Sequence, residues 1–210
     1  MENINNFTTF LLSGILLNIT PGNDTIFILT KSMSQGKKAG IMSVLGISTG
    51  TVIHTILAAL GLSVIISKSL LVFNLLKFAG AAYLLYLGYQ LLISKENIIS
   101  DSKTELTTPN FRKIYLDGVL TNVLNPKVAL FFISFLPQFI DPNKHNSVFS
   151  FLILGFTFTL TGTIWCLILA IFSAKIFRSL KNNGKIAQYI NQFCGVVMIS
   201  LGLKVAFTSR

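Results

Sequence analysis

Gly14-Ile-Leu-Leu-Asn18-Ile-Thr20-Pro21 and Gly118-Val-Leu-Thr-Asn122-Val-Leu-Asn125-Pro126 are two versions of one phrase. Each runs Gly-x-x-x-Asn, then a residue suited to cap a helix, then proline; the second carries one inserted residue. Each also lies inside a long apolar block. Proline in a helix interior removes a hydrogen bond and clashes with the preceding turn. Thr20 and Asn125 are good N-caps, which would put Pro21 and Pro126 at the first position of a new helix. The phrase therefore predicts two spans, each broken into half-helices. Pro21 lies about fourteen residues into its block and Pro126 about twelve, roughly 18–21 Å at 1.5 Å per residue, close to a bilayer midplane. Backbone freed at that depth is tolerated only where it is buried in protein or lines a cavity. Two ordinary proline kinks are the plainer alternative, and the paired repeat positions argue against them.

Composition fixes the class around these breaks. Of the 210 residues 52% are hydrophobic and 11% charged, with a mean hydropathy of +0.70. Soluble domains carry roughly 25% charged residues, so this chain is an integral membrane protein. Short alternating segments, the mark of an outer-membrane barrel, are replaced by six apolar stretches: about Phe7–Thr30, Gly40–Ile66, Leu70–Ile93, Ile114–Ile140, Val148–Ile176 and Ile186–Phe207. Residues 94–113, with Lys95, Glu96, Asp101, Lys103, Glu105, Pro109 and Arg112, read as a hinge between repeat one (1–93) and repeat two (114–210). The chain reads as a single membrane domain. Its opening, Met1-Glu2-Asn3, lacks the positive start of a cleavable signal peptide.

Lys and Arg set the orientation. Lys31, Lys37, Lys38, Lys95, Lys103, Arg112, Lys113, Lys175, Arg178, Lys181 and Lys185 follow spans one, three and five; Lys68, Lys144, Lys204 and Arg210 take the other side. Eleven against four predicts that the first group is cytoplasmic and that both termini face outward. The net charge of +10 is a membrane orientation signal, and nucleic-acid binding is not expected.

A second match supports the repeat: Phe78-Ala-Gly80 with Leu87-Gly88, and Phe193-Cys-Gly195 with Leu201-Gly202. Three spans per half force opposite orientations on the halves, so the expected fold is all-α, with six transmembrane helices in two inverted three-helix repeats. That is a common architecture of secondary transporters. Half-helix N-termini at the midplane present N–H groups and a positive dipole end, suited to a carboxylate.

Candidate site residues gather at the breaks: Asn18, Thr20, Pro21, Gly22, Asp24, Asn122, Asn125, Pro126 and Lys127. A charge at membrane depth costs about 2.5–3.5 kcal/mol on insertion scales. Asp24, in the opening turn of the restarted helix, would receive a substrate ammonium or an exchanged proton, or would only stabilise the break. Lys127 would pair with Asp24, attract a carboxylate, or snorkel. Histidine is the side chain suited to move protons at physiological pH, which makes His54 a candidate proton relay; a histidine hydrogen-bonded to a neighbouring helix is the plainer reading. Asp117 is expected at the interface and Lys77 is expected to snorkel outward. Tyr83, Tyr86 and Tyr89 read as interfacial aromatics or as substrate-stacking rings. Gly46-x-x-x-Gly50 reads as packing inside the bundle. Cys166 and Cys194 sit in apolar blocks and form neither a disulfide scaffold nor a zinc motif. No phosphate-cradling loop and no nucleophile–base pair is found, so neither an enzyme nor a cofactor is expected.

Ile19-Thr-Pro-Gly-Asn-Asp24-Thr, Ser34-Gln-Gly-Lys-Lys-Ala-Gly40, Ala81-Ala-Tyr-Leu-Leu-Tyr-Leu-Gly88 and Leu120-Thr-Asn-Val-Leu-Asn-Pro-Lys127 resemble the lysine exporter (LysE/RhtB) family over nearly the whole chain. That family usually has proline where this chain has Asn23, a departure that leaves Asp24 in place. The resemblance implies an inner-membrane exporter of amino acids or close derivatives, driven by the proton motive force and forming a homodimer. In that frame Pro21, Gly22 and Asp24 correspond to one motif, and Asn125, Pro126 and Lys127 to the other. The expectation is proton antiport of an amino-acid-like substrate across the lipid bilayer. A divalent-metal exporter of related architecture and a non-transporting membrane partner protein are the alternatives. The first would favour clustered Cys, His and acidic ligands; the second would leave the breaks without a purpose.

Overall fold

A computed structural model describes residues 4–62, 70–93, 109–141, 147–182 and 184–207. Among them the ordered elements are helical, apart from one isolated bridge between Ile4 and Ile140. Most of the predicted hinge lies outside the described residues, as do Lys68, Lys95, Lys103, Lys144 and Arg210.

The first apolar block is two helices, α1 (Phe7–Ile19) and α2 (Asn23–Gln35). A single glycine, Gly36 at φ 86°, turns the chain into α3 (Lys37–Leu57), which continues as a π-helical turn over Ala58–Leu62. Next comes α4 (Leu70–Ile93). The helix α5 (Phe111–Val123) starts before the hinge was expected to end, because the Asn110 side chain caps it by accepting from the Lys113 N–H. The second break follows, and α6 (Pro126–Leu130) runs into a π-helical turn, Phe131–Phe135, and a 3-10 turn, Leu136–Phe139. The long α7 (Ser147–Asn182) and α8 (Gly184–Phe207) complete the chain.

Glycines decide which helices touch backbone to backbone. A Cβ on Gly46 would run into the Tyr115 carbonyl, and one on Gly118 would stand 3.3 Å from the Gly46 Cα. The Gly46-x-x-x-Gly50 pair thus seats α3 on α5, inside the molecule. Gly88 and Gly195 face each other's carbonyls, and Gly202 meets the Ala81 carbonyl, so α4 and α8 pack closely and run antiparallel. Close approach of this kind is how helices associate where lipid removes the hydrophobic incentive.

Phenylalanines fill the largest core. Phe10, Phe131, Phe132, Phe135 and Phe151 are almost wholly buried; Phe131 stacks on Phe158 at 4.4 Å between centroids and on Phe135 at 5.2 Å. The outer face is apolar too, with Leu57, Leu60, Leu120, Leu124, Phe149 and Leu160 exposed. An apolar exterior of this extent is a surface made for lipid.

Among the described residues, Lys37–Leu62 and Val148–Ser173 are long and apolar enough to cross a membrane. Phe111–Val123 with Pro126–Phe139, bent by 45° at the break, makes a third crossing if taken as one span. The first block falls short as a continuous span because it is broken into α1, shorter than a crossing, and α2, which opens on Asn23 and Asp24; in the last helix the described apolar stretch Asn191–Phe207 is likewise shorter than a crossing.

Candidate functional site

The two breaks are built differently. At the second, the Asn125 side chain accepts from the Lys127 N–H and Pro126 opens the helix, as a capped restart requires. At the first, Thr20 does not cap the new helix. Its hydroxyl donates back to the Leu16 carbonyl at 2.8 Å, which closes α1. Pro21 then stays outside either helix, and α2 begins at Asn23 with extended Gly22 as its N-cap and no side-chain cap. The first-turn N–H groups of α2 therefore lack an intrahelical or side-chain partner.

Asp24 is the second residue of α2 and points towards α5. Its Oδ2 accepts from Asn122 Nδ2 at 2.9 Å; its Oδ1 is buried with no hydrogen-bond partner. Asn122 is fully engaged. Its Oδ1 accepts from Thr51, and its main-chain carbonyl accepts from His54 Nε2 at 3.2 Å. That bond places a proton on Nε2 of His54, whose ring also stacks on Phe132. By hydrogen bonds His54 is therefore linked to Asp24 through Asn122, an amide and a carbonyl that do not themselves titrate. Asn18, the repeat partner of Asn122, donates to the Phe158 carbonyl and to Thr161 on α7.

Lys127 does not form the direct pair with Asp24 that the sequence suggested. Its ammonium donates to the Leu17 carbonyl at 3.3 Å and the Thr20 carbonyl at 2.9 Å, both at the end of α1. It rests beside Gly22, where a Cβ would come within 3.3 Å of Nζ. Lys77 corrects another expectation: it is buried, not snorkelled, with its ammonium 4.6 Å from the Phe78 ring centre. Asp117 is half-buried on α5.

Cavities flank the breaks. The larger, about 560 Å³, lies towards α4 and α8 and is lined by Thr20, Pro21, Gly22, Asn23, Asn125, Pro126 and Lys127, with Tyr83, Leu87, Gln90, Leu91, Ile93 and Met198 as its far wall. The smaller, about 30 Å³, lies towards α3 and α7; Asn18, Asp24, Thr25, Ser48, Thr51, Asn122, Lys127 and Thr163 give it polar walls. It has room for about one or two waters. Every predicted site residue except His54 lines one cavity or the other, and Lys127 borders both. Sequence reading missed the wall from α4 and α8. Tyr83 had been weighed as a stacking ring, but nothing in a helical spacing distinguishes it from the exposed Tyr86 and Tyr89. Asn125 Nδ2 is buried and without a partner, like Asp24 Oδ1. Among the described residues no three His, Cys, Asp or Glu side chains group to hold a metal.

The chain is 31% identical over 200 residues to the uncharacterized membrane protein YrhP of Bacillus subtilis (strain 168), covering 92% of this chain and 94% of that one. It is 29% identical over 201 residues to proteins named leucine efflux protein in Salmonella choleraesuis (strain SC-B67) and Salmonella typhimurium (strain LT2), covering 96% of this chain and 94% of each. No solved structure matches. Residues 15–209 match the family described as LysE type translocator. With both breaks and both cavities inside that match, this chain belongs to the LysE type translocator family: it is a membrane transporter and not an enzyme.

Proposed function

We propose that this protein exports neutral amino acids with apolar side chains from the cytoplasm, by exchange for protons. One observation carries the reading. Two buried polar atoms that make no close hydrogen bond, the acceptor Asp24 Oδ1 and the donor Asn125 Nδ2, bring the paired breaks together with their side chains near one another, an acceptor and a donor that the ammonium and carboxylate of one zwitterion could engage together. The carboxylate would rest on Asn125 Nδ2 and the uncapped start of α2, in the field of Lys127. The ammonium would be drawn towards the Asp24 carboxylate, one residue beyond Asn23 in the large cavity's wall. Leu87, Leu91, Met198 and Tyr83 would receive an apolar side chain, and none of the residues lining the large cavity is acidic, which disfavours a basic one. Leucine as substrate of the Salmonella relatives agrees with that wall.

Asp24 would carry the exchanged proton, reached by water in the small polar-walled cavity. His54 would hold Asn122 in place, and through it Asp24. Six crossings in two inverted repeats are supported by the contacts. Helices α4 and α8 run antiparallel, and the reciprocal Gly88–Gly195 approach and the Ala81–Gly202 approach exchange under a two-fold axis that superposes the matched glycine motifs. The excess of Lys and Arg supports cytoplasmic placement of the loop after α2, the inner membrane as location and outward-facing termini. A homodimer belongs to the same proposal.

Efflux from cells preloaded with mixed dipeptides tests the reading. Leucine, isoleucine, valine or methionine should leave faster when the protein is present, and a protonophore should abolish the difference. Faster exit of lysine or arginine alone, or an effect that survives the protonophore, would overturn the corresponding part.

A further inference from the structure

The proline in the first break opens a specific gap. In a continuous helix the Leu17 carbonyl would accept from residue 21, but Pro21 has no N–H to give; the Thr20 carbonyl loses its partner because α2 restarts at Asn23. Both oxygens lie at the C-terminal, electronegative end of a half-helix. Both are taken by the same group, the Lys127 ammonium, at 3.3 and 2.9 Å. Gly22 leaves the space this ammonium occupies, and Asp24, although it does not bond to the ammonium, adds a negative charge on the cavity that both residues line. In secondary transporters, unwound carbonyls and half-helix C-termini are where coupling cations such as Na⁺ are held.

We infer that the Lys127 side chain is a tethered cation filling an alkali-metal-type site in the first break, so that the protein works without Na⁺ or K⁺ and gains a site for one when the side chain is cut away. The inference deepens the transport reading, on which its efflux arm rests. Its binding arm stands without that reading.

The binding arm compares thermal unfolding of purified wild type and Lys127→Ala in equal concentrations of sodium, potassium and N-methylglucamine chloride. An ion that binds the folded state alone raises the melting temperature saturably. Lys127→Ala should be stabilised by Na⁺ or K⁺ over N-methylglucamine, whereas wild type and Lys127→Met, which fills the space without charge, should melt alike in all three. Lys127→Thr serves where the alanine variant does not survive extraction. Absence of an alkali-specific shift in both small variants, failure of both to fold in any of the salts, or an equal shift in wild type would overturn the inference. In the efflux arm, Lys127→Ala should regain transport with added Na⁺ or K⁺ while wild type is indifferent. An alkali shift in the melting arm with no amino-acid efflux from wild type would leave the cation site standing and reject the transport reading.

Discussion

At the scale of the residue, the arrangement turns on Asp24. One carboxylate oxygen is held by Asn122 and the other is buried without a close hydrogen bond, with the Asn125 side chain and the Lys127 charge nearby. An acid at membrane depth is tolerated where it is partnered or solvated, and here only one oxygen is closely bonded. Asp24→Asn keeps size and polarity and is expected to abolish coupled efflux while the protein still inserts. Asp24→Glu should retain a fraction, with a changed pH dependence. Since the Lys127 ammonium bonds to Leu17 and Thr20 and not to Asp24, the double variant Asp24→Asn with Lys127→Gln should stay inactive. Recovery in the double variant, measured by efflux at equal membrane levels, would show a structural ion pair and remove Asp24 from the path. Asn122→Ala should also impair transport, because it strips Asp24 of the 2.9 Å hydrogen bond on Oδ2, and leaving a buried polar group unsatisfied costs about 1–3 kcal/mol.

Elements carry the breaks and the helix contacts. Pro21→Ala would hand the Leu17 carbonyl an N–H and displace Lys127; Pro126→Ala would remove a favoured opening of α6. Each is expected to leave the protein inserted and to impair efflux, and wild-type efflux from both would reduce the prolines to kinks. Glycine contacts give a sharper test of packing. Gly46→Leu and Gly88→Leu drive side chains into the Tyr115 and Gly195 carbonyls, whereas a Cβ at Gly61 meets nothing within 4 Å. The first two should lose monodisperse protein in size-exclusion chromatography; Gly61→Ala should elute as wild type. The positions of both breaks and the packing role of Gly46 and Gly50 inside the bundle were legible in the sequence because proline and glycine act through local geometry; that Gly46 and Gly50 seat against α5 was not. The start of α2 was not: Thr20 had two uses open to its hydroxyl, and bonding back to Leu16 prevailed over capping forwards. The π-helical turn at Phe131–Phe135 leaves no mark in the sequence either. It belongs with the stacking of Phe131 on Phe158, a contact that exists only once this segment meets α7. Lys77 was misplaced for the same reason, since burial against a neighbour is a tertiary fact.

For the whole molecule, contacts between helices fix relative direction and charge fixes the side. Gly46 approaches Gly118 and Gly50 approaches Asn122, so α3 and α5 run in the same sense. Gly14 approaches Phe158 and Gly162 approaches Asn18, so α1 and α7 do too. With α4 and α8 antiparallel, these directions agree with six alternating crossings, but they hold equally for the molecule turned over. Only the excess of Lys and Arg after spans one, three and five separates the two orientations. Single cysteines in a background lacking Cys166 and Cys194 test it directly. At Lys38, Lys103 or Lys181 a cysteine should resist an impermeant thiol reagent in intact cells and react once the membrane is opened; at Lys68 or Lys144 it should react in intact cells. A full reversal would put the large cavity's α4 end, at Gln90 and Ile93, on the outside, and the protein would then load substrate from the wrong face for an exporter. Disagreement confined to a cysteine at Asn5 or Asn6 would instead make α1 and α2 a re-entrant pair that enters and leaves on one side. That outcome would spare the site, because Leu17, Thr20 and Lys127 meet at the break whichever way α1 was threaded.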